Sequence, residues 1–328
     1  MKLRSQDSKV LIVGATGFVG KNLVPQMATR GPTTILVRAT SNTALFRENP
    51  NIRILKGDLE TANGLREALN DIDVVIHCAA RTMGRTYWEY YRTNTMGTAN
   101  LLKEMKAAGV KKLLFLSSHA ACGPSAAITT TIRNGAENPI SFYGSTKRQA
   151  EKLIIRSGLS YTIIRPVSVY GPHDTEILTY IKLLNRGICP VVGFGSKYLN
   201  LIYVADLVDM IIEIVRRDHF GNRIYFANDG NCYSFDSVLK SIACALDKKN
   251  VKIHIPTSIA MFIGLLNDVF LPPRFRLVTR DKVRELACQY WVCGETKSIQ
   301  EMGLRPKYTF EHGIIETVEW YRKHGFLS

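Results

Sequence analysis

A doubly wound parallel α/β sheet followed by a smaller α/β unit is the architecture this sequence predicts. Three observations carry that prediction. Five short, apolar, β-branched runs alternate with helix-period segments before residue 120. The first run, Val10-Leu11-Ile12-Val13, passes directly into a glycine triplet, Gly14, Gly17 and Gly20, spaced by three. Later runs end in small or polar residues, Ala79-Ala80 and Ser117-Ser118, where a sheet of this kind gathers its ligand site.

Size and composition fit one large α/β unit with an appendage: 328 residues, 46% hydrophobic, with mean hydropathy near zero. Met1 to Lys9 is polar and the first apolar run is only strand-length, so no targeting leader is expected. Seven cysteines, Cys78, Cys122, Cys189, Cys232, Cys244, Cys288 and Cys293, are scattered without C-x-x-C pairs. That usage points to a reduced, cytoplasmic setting and to no metal site. The net charge of +15 is dispersed, without basic runs interleaved with aromatics, so nucleic acid is not an expected partner.

Taken in order, Val10–Val13 reads as a buried strand and Phe18 onward as a helix, with Pro25 expected to kink or shorten it. Gly14 permits a tight turn, Gly17 lets a pyrophosphate approach the backbone, and Gly20 lets helix pack on strand. The amides opening the helix then face the phosphates. Thr33–Val37 is the second strand and ends at Arg38. An acid here would suit a ribose 2′-hydroxyl; arginine pairs with a 2′-phosphate, which favours NADP(H) over NAD(H). Ile52–Lys56 is the third strand, and Asp58 after it either caps the next turn, contacts an adenine amino group, or does both. Asp73 to Ala80 is the fourth, closing on Ala79 and Ala80, against whose backbone a dinucleotide lies. His77 inside it is read as a core histidine. Tyr87 to Ala108 is expected as one long helix, and Lys111–Leu116 as the fifth strand.

A Pro/Gly/Thr-rich loop spans 123–141, long enough to act as a lid. Tyr143 and Lys147 follow on one helical face, four residues apart. An ammonium beside a phenol lowers the phenol's pKa, which suits acid–base chemistry on an alcohol or ketone.

The chain resembles the extended short-chain dehydrogenase/reductases, also called the NAD-dependent epimerase/dehydratase family. The resemblance rests on Gly14–Gly20, Gly57-Asp58-Leu59, His77-Cys78-Ala79-Ala80 and the stretch Asn94 to Leu102. Further on it rests on Ser117-Ser118, Tyr143-x-x-x-Lys147, Arg165 to Pro172, and Tyr203-Val204-Ala205-Asp206. It implies a Rossmann-type dinucleotide domain, expected over 1–170 with 199–219, and a substrate domain over 171–198 with 220–328. Tyr143 would exchange the proton, Lys147 would lower its pKa and hold the nicotinamide ribose, and Ser118 rather than Ser117 would bond the substrate oxygen. Thr16, Phe18 and Val19 complete the glycine loop's cofactor contacts; Asp58 and Leu59 line the adenine side, Pro166 and Val169 the nicotinamide side. The resemblance also implies a homodimer through helices 87–108 and 142–157. His119 departs from the small residue usual there and is read as covering the site.

Three departures select a branch. Sugar-nucleotide members usually carry asparagine where Ser168 stands, arginine where Leu199 stands, and an arginine in the C-terminal segment where Tyr290-Trp291-Val292-Cys293 stands. The chain is accordingly nearest the 3β-hydroxysteroid dehydrogenase and dihydroflavonol reductase branch. Residues 259–272 form an apolar stretch followed by Arg274, Arg276, Arg280, Lys282 and Arg284. It is expected as a pocket wall or core helix of the small domain, with peripheral membrane contact through 259–284 as the alternative. The reading is an oxidoreductase interconverting a ketone and a secondary alcohol on a fairly apolar substrate; the alternative is a sugar-nucleotide epimerase or dehydratase with tightly held NAD.

Overall fold

The computed structural model describes residues 8–129, 137–249, 251–271, 279–294, 301 and 303–327. Parts of the 123–141 loop, Arg274, Arg276 and most of 297–303 lie outside them.

Strands in chain order are β1 (Val10–Val13), β2 (Thr33–Val37), β3 (Ile52–Lys56), β4 (Val74–His77), β5 (Lys112–Leu116), β6 (Ser160–Pro166), β7 (Ser168–Tyr170), β8 (Ile188–Val192), β9 (Tyr198–Leu199), β10 (Leu201–Tyr203), β11 (Arg223–Ala227), β12 (Tyr233–Ser234), β13 (Val251–Ile255) and β14 (Tyr290–Trp291). Helices are α1 (Phe18–Ala28), α2 (Leu65–Ala68), α3 (Tyr87–Tyr91), α4 (Gly97–Ala107), α5 (Phe142–Ile155), α6 (Thr175–Asn185), α7 (Val204–Arg216), α8 (Phe235–Leu246), α9 (Thr257–Phe270), α10 (Arg280–Leu286) and α11 (Phe310–Lys323).

Seven strands form one parallel sheet in the order β11-β6-β5-β4-β1-β2-β3. The period of two decides which layer each residue joins. Val10 and Ile12 face one core, with Leu23, Val24 and Met27 of α1 and Leu207 and Ile211 of α7. Leu11 and Val13 face the other, with Leu101, Leu102 and Met105 of α4 and Ala150 and Ile154 of α5. Burial on both faces is why these strands are continuously apolar. The chain winds outward through β2 and β3 on one side of β1 and through β4, β5, β6 and β11 on the other. The direction of winding therefore reverses between β1 and β4, and a crevice opens there at the carboxyl edge.

Three differences from expectation have physical reasons. Arg223–Ala227 lies in the stretch assigned to the smaller unit, yet it pairs in register with β6 (Arg223 with Thr162, Ala227 with Pro166) and completes the large sheet. The helix through 87–107 is interrupted by a π-turn at Arg92–Met96. There the Asn94 amide donates to Thr146 Oγ1 (3.0 Å) and to the Arg81 carbonyl (3.1 Å), tying this turn to α5. Pro25 does not break α1, which runs on to Ala28.

A second core collects Tyr170, Leu178, Ile181, Leu201, Val238, Ile242, Phe310, Ile314 and Tyr321 from α6, α8, α11 and the small strands. Here β9 is central, pairing with β12 and with β14, so that Leu199 and Trp291 stand in register.

Candidate active site

The crevice is lined first by the glycine loop. Gly14 has φ +97°, and a Cβ on it would come within 2.4 Å of the Ala79 nitrogen; a Cβ on Gly20 would come within 2.3 Å of the Gly14 carbonyl oxygen. Neither position admits a side chain, because β1, α1 and the end of β4 touch there. Gly17 is exposed, and an added Cβ would meet only the Gly14 oxygen, at 3.3 Å. No side chain caps α1 and no acid stands in its first turn. Its first amides, beside Thr16, Phe18 and Val19, are thus open to an anion. Arg38 is exposed just past β2, with no ion pair among the described residues. These features fit a dinucleotide whose phosphates lie on α1. Leu59 is buried, and Asp58 accepts the Glu60 amide at 2.6 Å, so one carboxylate oxygen already holds a local turn. Pro166 is buried at the end of β6, and Val169 is half-buried in β7.

The two serines after β5 go to different partners. Ser117 Oγ donates to Glu151 at 2.6 Å and is buried. The Ser118 hydroxyl accepts the Ala120 amide (3.1 Å) and shares a hydrogen bond with the Tyr143 phenol. Tyr143 and Lys147 sit on α5 as their spacing predicts, but no hydrogen bond joins them among the described residues. The Lys147 ammonium donates to the Leu116 carbonyl at 2.6 Å and lies 4.0 Å from the Phe115 ring centroid. Burial, reinforced by the charges of Glu285 and Glu176, pushes Tyr143 up to about 12 against the hydrogen bond from Ser118. Burial also pulls Lys147 down to about 7, opposed by Glu151.

Sequence reasoning did not find what holds α5. The Asp281 carboxylate, on α10, accepts the amides of Phe142 (2.7 Å) and Tyr143 (3.2 Å), while Ser141 caps Gly144 and donates to Glu285 at 2.7 Å. The helix bearing Tyr143 thus starts on a carboxylate 138 residues away. No local pattern signals such a partner. Glu151 was likewise missed: it joins Ser117, Arg148 and Arg165 in a buried network with Glu137.

His119 is buried; its ring stands 5.2 Å from Trp291 and near Phe226, and neither ring nitrogen is bonded. Burial, with the Arg165 charge, brings its pKa down to about 4, so it is a neutral wall. His77 bonds Thr98 Oγ1 at 3.0 Å inside the core. Around Tyr143, Lys282 is compensated by Glu176 (2.8 Å) and Glu285 (3.6 Å). Arg280, at 3.2 Å from Asp268, is compensated too.

Comparison with known proteins agrees with this layout. Over 268 residues the chain is 29% identical to UDP-glucose 4-epimerase of Vibrio cholerae, covering 77% of this chain and 80% of that protein. It is 29% identical over 327 residues to ceramide reductase of Caulobacter vibrioides, covering 97% and 96%. It is 26% identical over 351 aligned positions to human sterol-4-alpha-carboxylate 3-dehydrogenase, decarboxylating, covering 97% and 90%. Among solved structures, dTDP-glucose 4,6-dehydratase of Bacillus anthracis in complex with NAD superposes with a TM-score of 0.77 at 22% identity, covering 98% of each chain. The NAD dependent epimerase/dehydratase family matches residues 10–226. With that match across most of the chain, over the sheet and crevice just described, the protein belongs to the NAD-dependent epimerase/dehydratase family and is an enzyme of the extended short-chain dehydrogenase/reductase type.

Proposed function

We propose that the protein is an NADP(H)-preferring oxidoreductase that interconverts a ketone and a secondary alcohol on an apolar, lipid-like substrate. The observation that carries this reading is the apolar wall on which His119, next in sequence to Ser118, packs. Leu199, placed where sugar-nucleotide enzymes carry an arginine, pairs in register with Trp291 of the 290–293 segment, where they carry another, and His119 packs on Trp291. A diphosphate needs donors and positive charge, whereas this wall offers hydrocarbon and aromatic rings. The neighbouring cations, Lys282 and Arg280, are already compensated by carboxylates. Ceramide reductase and the sterol 3-dehydrogenase, by their names, act on lipids and are matched along nearly their whole length.

Arg38, the glycine loop and Lys147 would hold a dinucleotide, which when bound would supply or accept hydride. Ser118 donates to the substrate oxygen and keeps it against the phenol. Tyr143, neutral at ordinary pH, gives its proton as charge builds on that oxygen, which favours the reductive direction. Lys147 contributes positive charge below about pH 7. The second reading, a sugar-nucleotide epimerase with retained NAD, is favoured by the Vibrio cholerae relative. A homodimer through helices 87–108 and 142–157, with Met96 exposed in the π-turn just before α4, and a reducing compartment complete the proposal.

The deciding experiment is oxidation of NADPH or NADH by purified protein with long-chain and sterol ketones, beside UDP-glucose turnover. Consumption with the ketones supports the reading. Epimerisation of UDP-glucose with no ketone turnover replaces it with the second.

A further inference from the structure

Helix α9 has the reverse of the usual amphipathic layout. Its buried positions, four apart, are Ala260, Gly264 and Asp268. A Cβ on Gly264 would come within 2.9 Å of the Arg280 nitrogen, and the Asp268 carboxylate accepts from that nitrogen (3.3 Å) and from Arg280 Nε (3.2 Å). This small and polar stripe seats α9 on α10, which corrects the expectation of a core helix. The apolar side chains point outward: Ile259, Phe262 (59% exposed), Ile263, Leu266, Val269 (55%) and Phe270 (73%). Asp268 is the one charged residue in the helix. Cations border the face. Exposed Arg85 donates to the Leu271 carbonyl at the helix end, next to exposed Trp88, and has no ion pair among the described residues, while Arg284 on α10, 3.7 Å from Asp281, keeps part of its side chain in solvent. The whole chain carries +15.

We propose that this face docks on an anionic phospholipid bilayer, with α9 lying in the interfacial plane and the arginines against headgroup phosphates. Apolar side chains with flanking cations are what such an interface rewards. At 14 residues α9 is too short to span, and no described helix is long and apolar enough to cross a membrane. The docked face is one helix away from the phenol, because α10 carries Asp281 and Glu285, which hold Phe142, Tyr143 and Ser141. The inference deepens the apolar-substrate reading and rests on it for its purpose, delivery of a lipid ketone from the bilayer, but not for its geometry.

Flotation of the full chain with vesicles of phosphatidylcholine containing about a third phosphatidylglycerol tests it, compared with phosphatidylcholine alone and with high salt. The expected result is binding to the anionic vesicles that weakens in salt and falls at least tenfold in Phe262→Asp/Val269→Asp, whose circular dichroism and turnover of a short soluble ketone stay unchanged. Failure of the wild-type chain to float, or equal flotation of the variant, overturns the proposal. So does a dimer in sedimentation that the variant abolishes without any vesicle binding, which would make the face a self-interface. Absence of turnover with every ketone would count against the proposed activity alone, since flotation reads docking without it.

Discussion

Removing the Glu151 carboxylate should destabilise the fold and weaken cofactor binding in a pH-dependent way. Glu151 is fully buried and accepts four hydrogen bonds: Ser117 Oγ (2.6 Å), Arg165 Nε (2.9 Å), Arg165 Nη2 (2.7 Å) and Arg148 Nη1 (3.1 Å). Arg165 is equally buried and, among the described residues, keeps Glu137 as its one carboxylate partner, at 2.9 Å, when Glu151 is lost. Breaking one side of such a pair costs about 3–5 kcal/mol, because the remaining charge stays out of water. With an unfolding entropy of about 0.7 kcal/mol per kelvin for a chain this long, Tm should fall by roughly 4–7 °C in Glu151→Ala. Glu151→Leu combined with Arg165→Met should recover much of the loss, since neither charge is then buried alone. The second effect runs through Lys147, whose charge Glu151 supports. Without it, the lysine's pKa falls below about 7, so dinucleotide affinity at neutral pH should drop and return on acidification. Calorimetry for Tm and titration of the dinucleotide at several pH values measure both. A Tm within 1 °C of wild type, together with an unchanged pH profile, would refute the reasoning.

Four further outcomes are expected. Tyr143→Phe should lower turnover by about 10²–10⁴ while dinucleotide binding measured by fluorescence is retained. Asp281→Asn loses one acceptor for the Phe142 and Tyr143 amides and should cost about 1–2 kcal/mol in urea melts and reduce kcat more than it raises KM. Arg38→Asp should shift the NADPH/NADH ratio of kcat/KM toward NADH by about 10–100-fold, the loss of a charge-assisted phosphate contact. His119, held at about 4 in the fold and near 6.5 when unfolded, takes up its proton first in the unfolded chain. Stability is therefore full above pH 6.5 and declines toward pH 4, and His119→Phe should remove up to about 3 kcal/mol of that decline in melts across the range.

The sheet was legible because its strands are buried on both faces and its helices carry a clear apolar period. β1, β2 and β3 agree with the sequence reading to the residue. The glycine loop was legible for the same reason, since turn, close approach and helix start leave a local signature. What stayed hidden depends on contacts distant in sequence. The capping of α5 by Asp281 spans 138 residues, and the direction of Lys147 is decided by a carbonyl on β5. A continuous apolar stretch located α9 but not which face it buries, because Gly264 and Asp268 gain their value only from Arg280. The assignment of Arg223–Ala227 failed similarly: pairing with β6 is a tertiary choice that a short mixed strand does not announce.

The divergence of Ser117 and Ser118 carries one more consequence. Adjacent residues in extended backbone face opposite ways, so one hydroxyl is committed to the ion network and the next to the phenol. Deleting a single residue within β5 would move Ser118 into the place of Ser117 and leave His119 facing the phenol, and adding one would turn Ser117 to the phenol and leave Leu116 facing the ion network. Reaction geometry here is thus written in the parity of one strand, which makes that strand's length less free to drift than its composition.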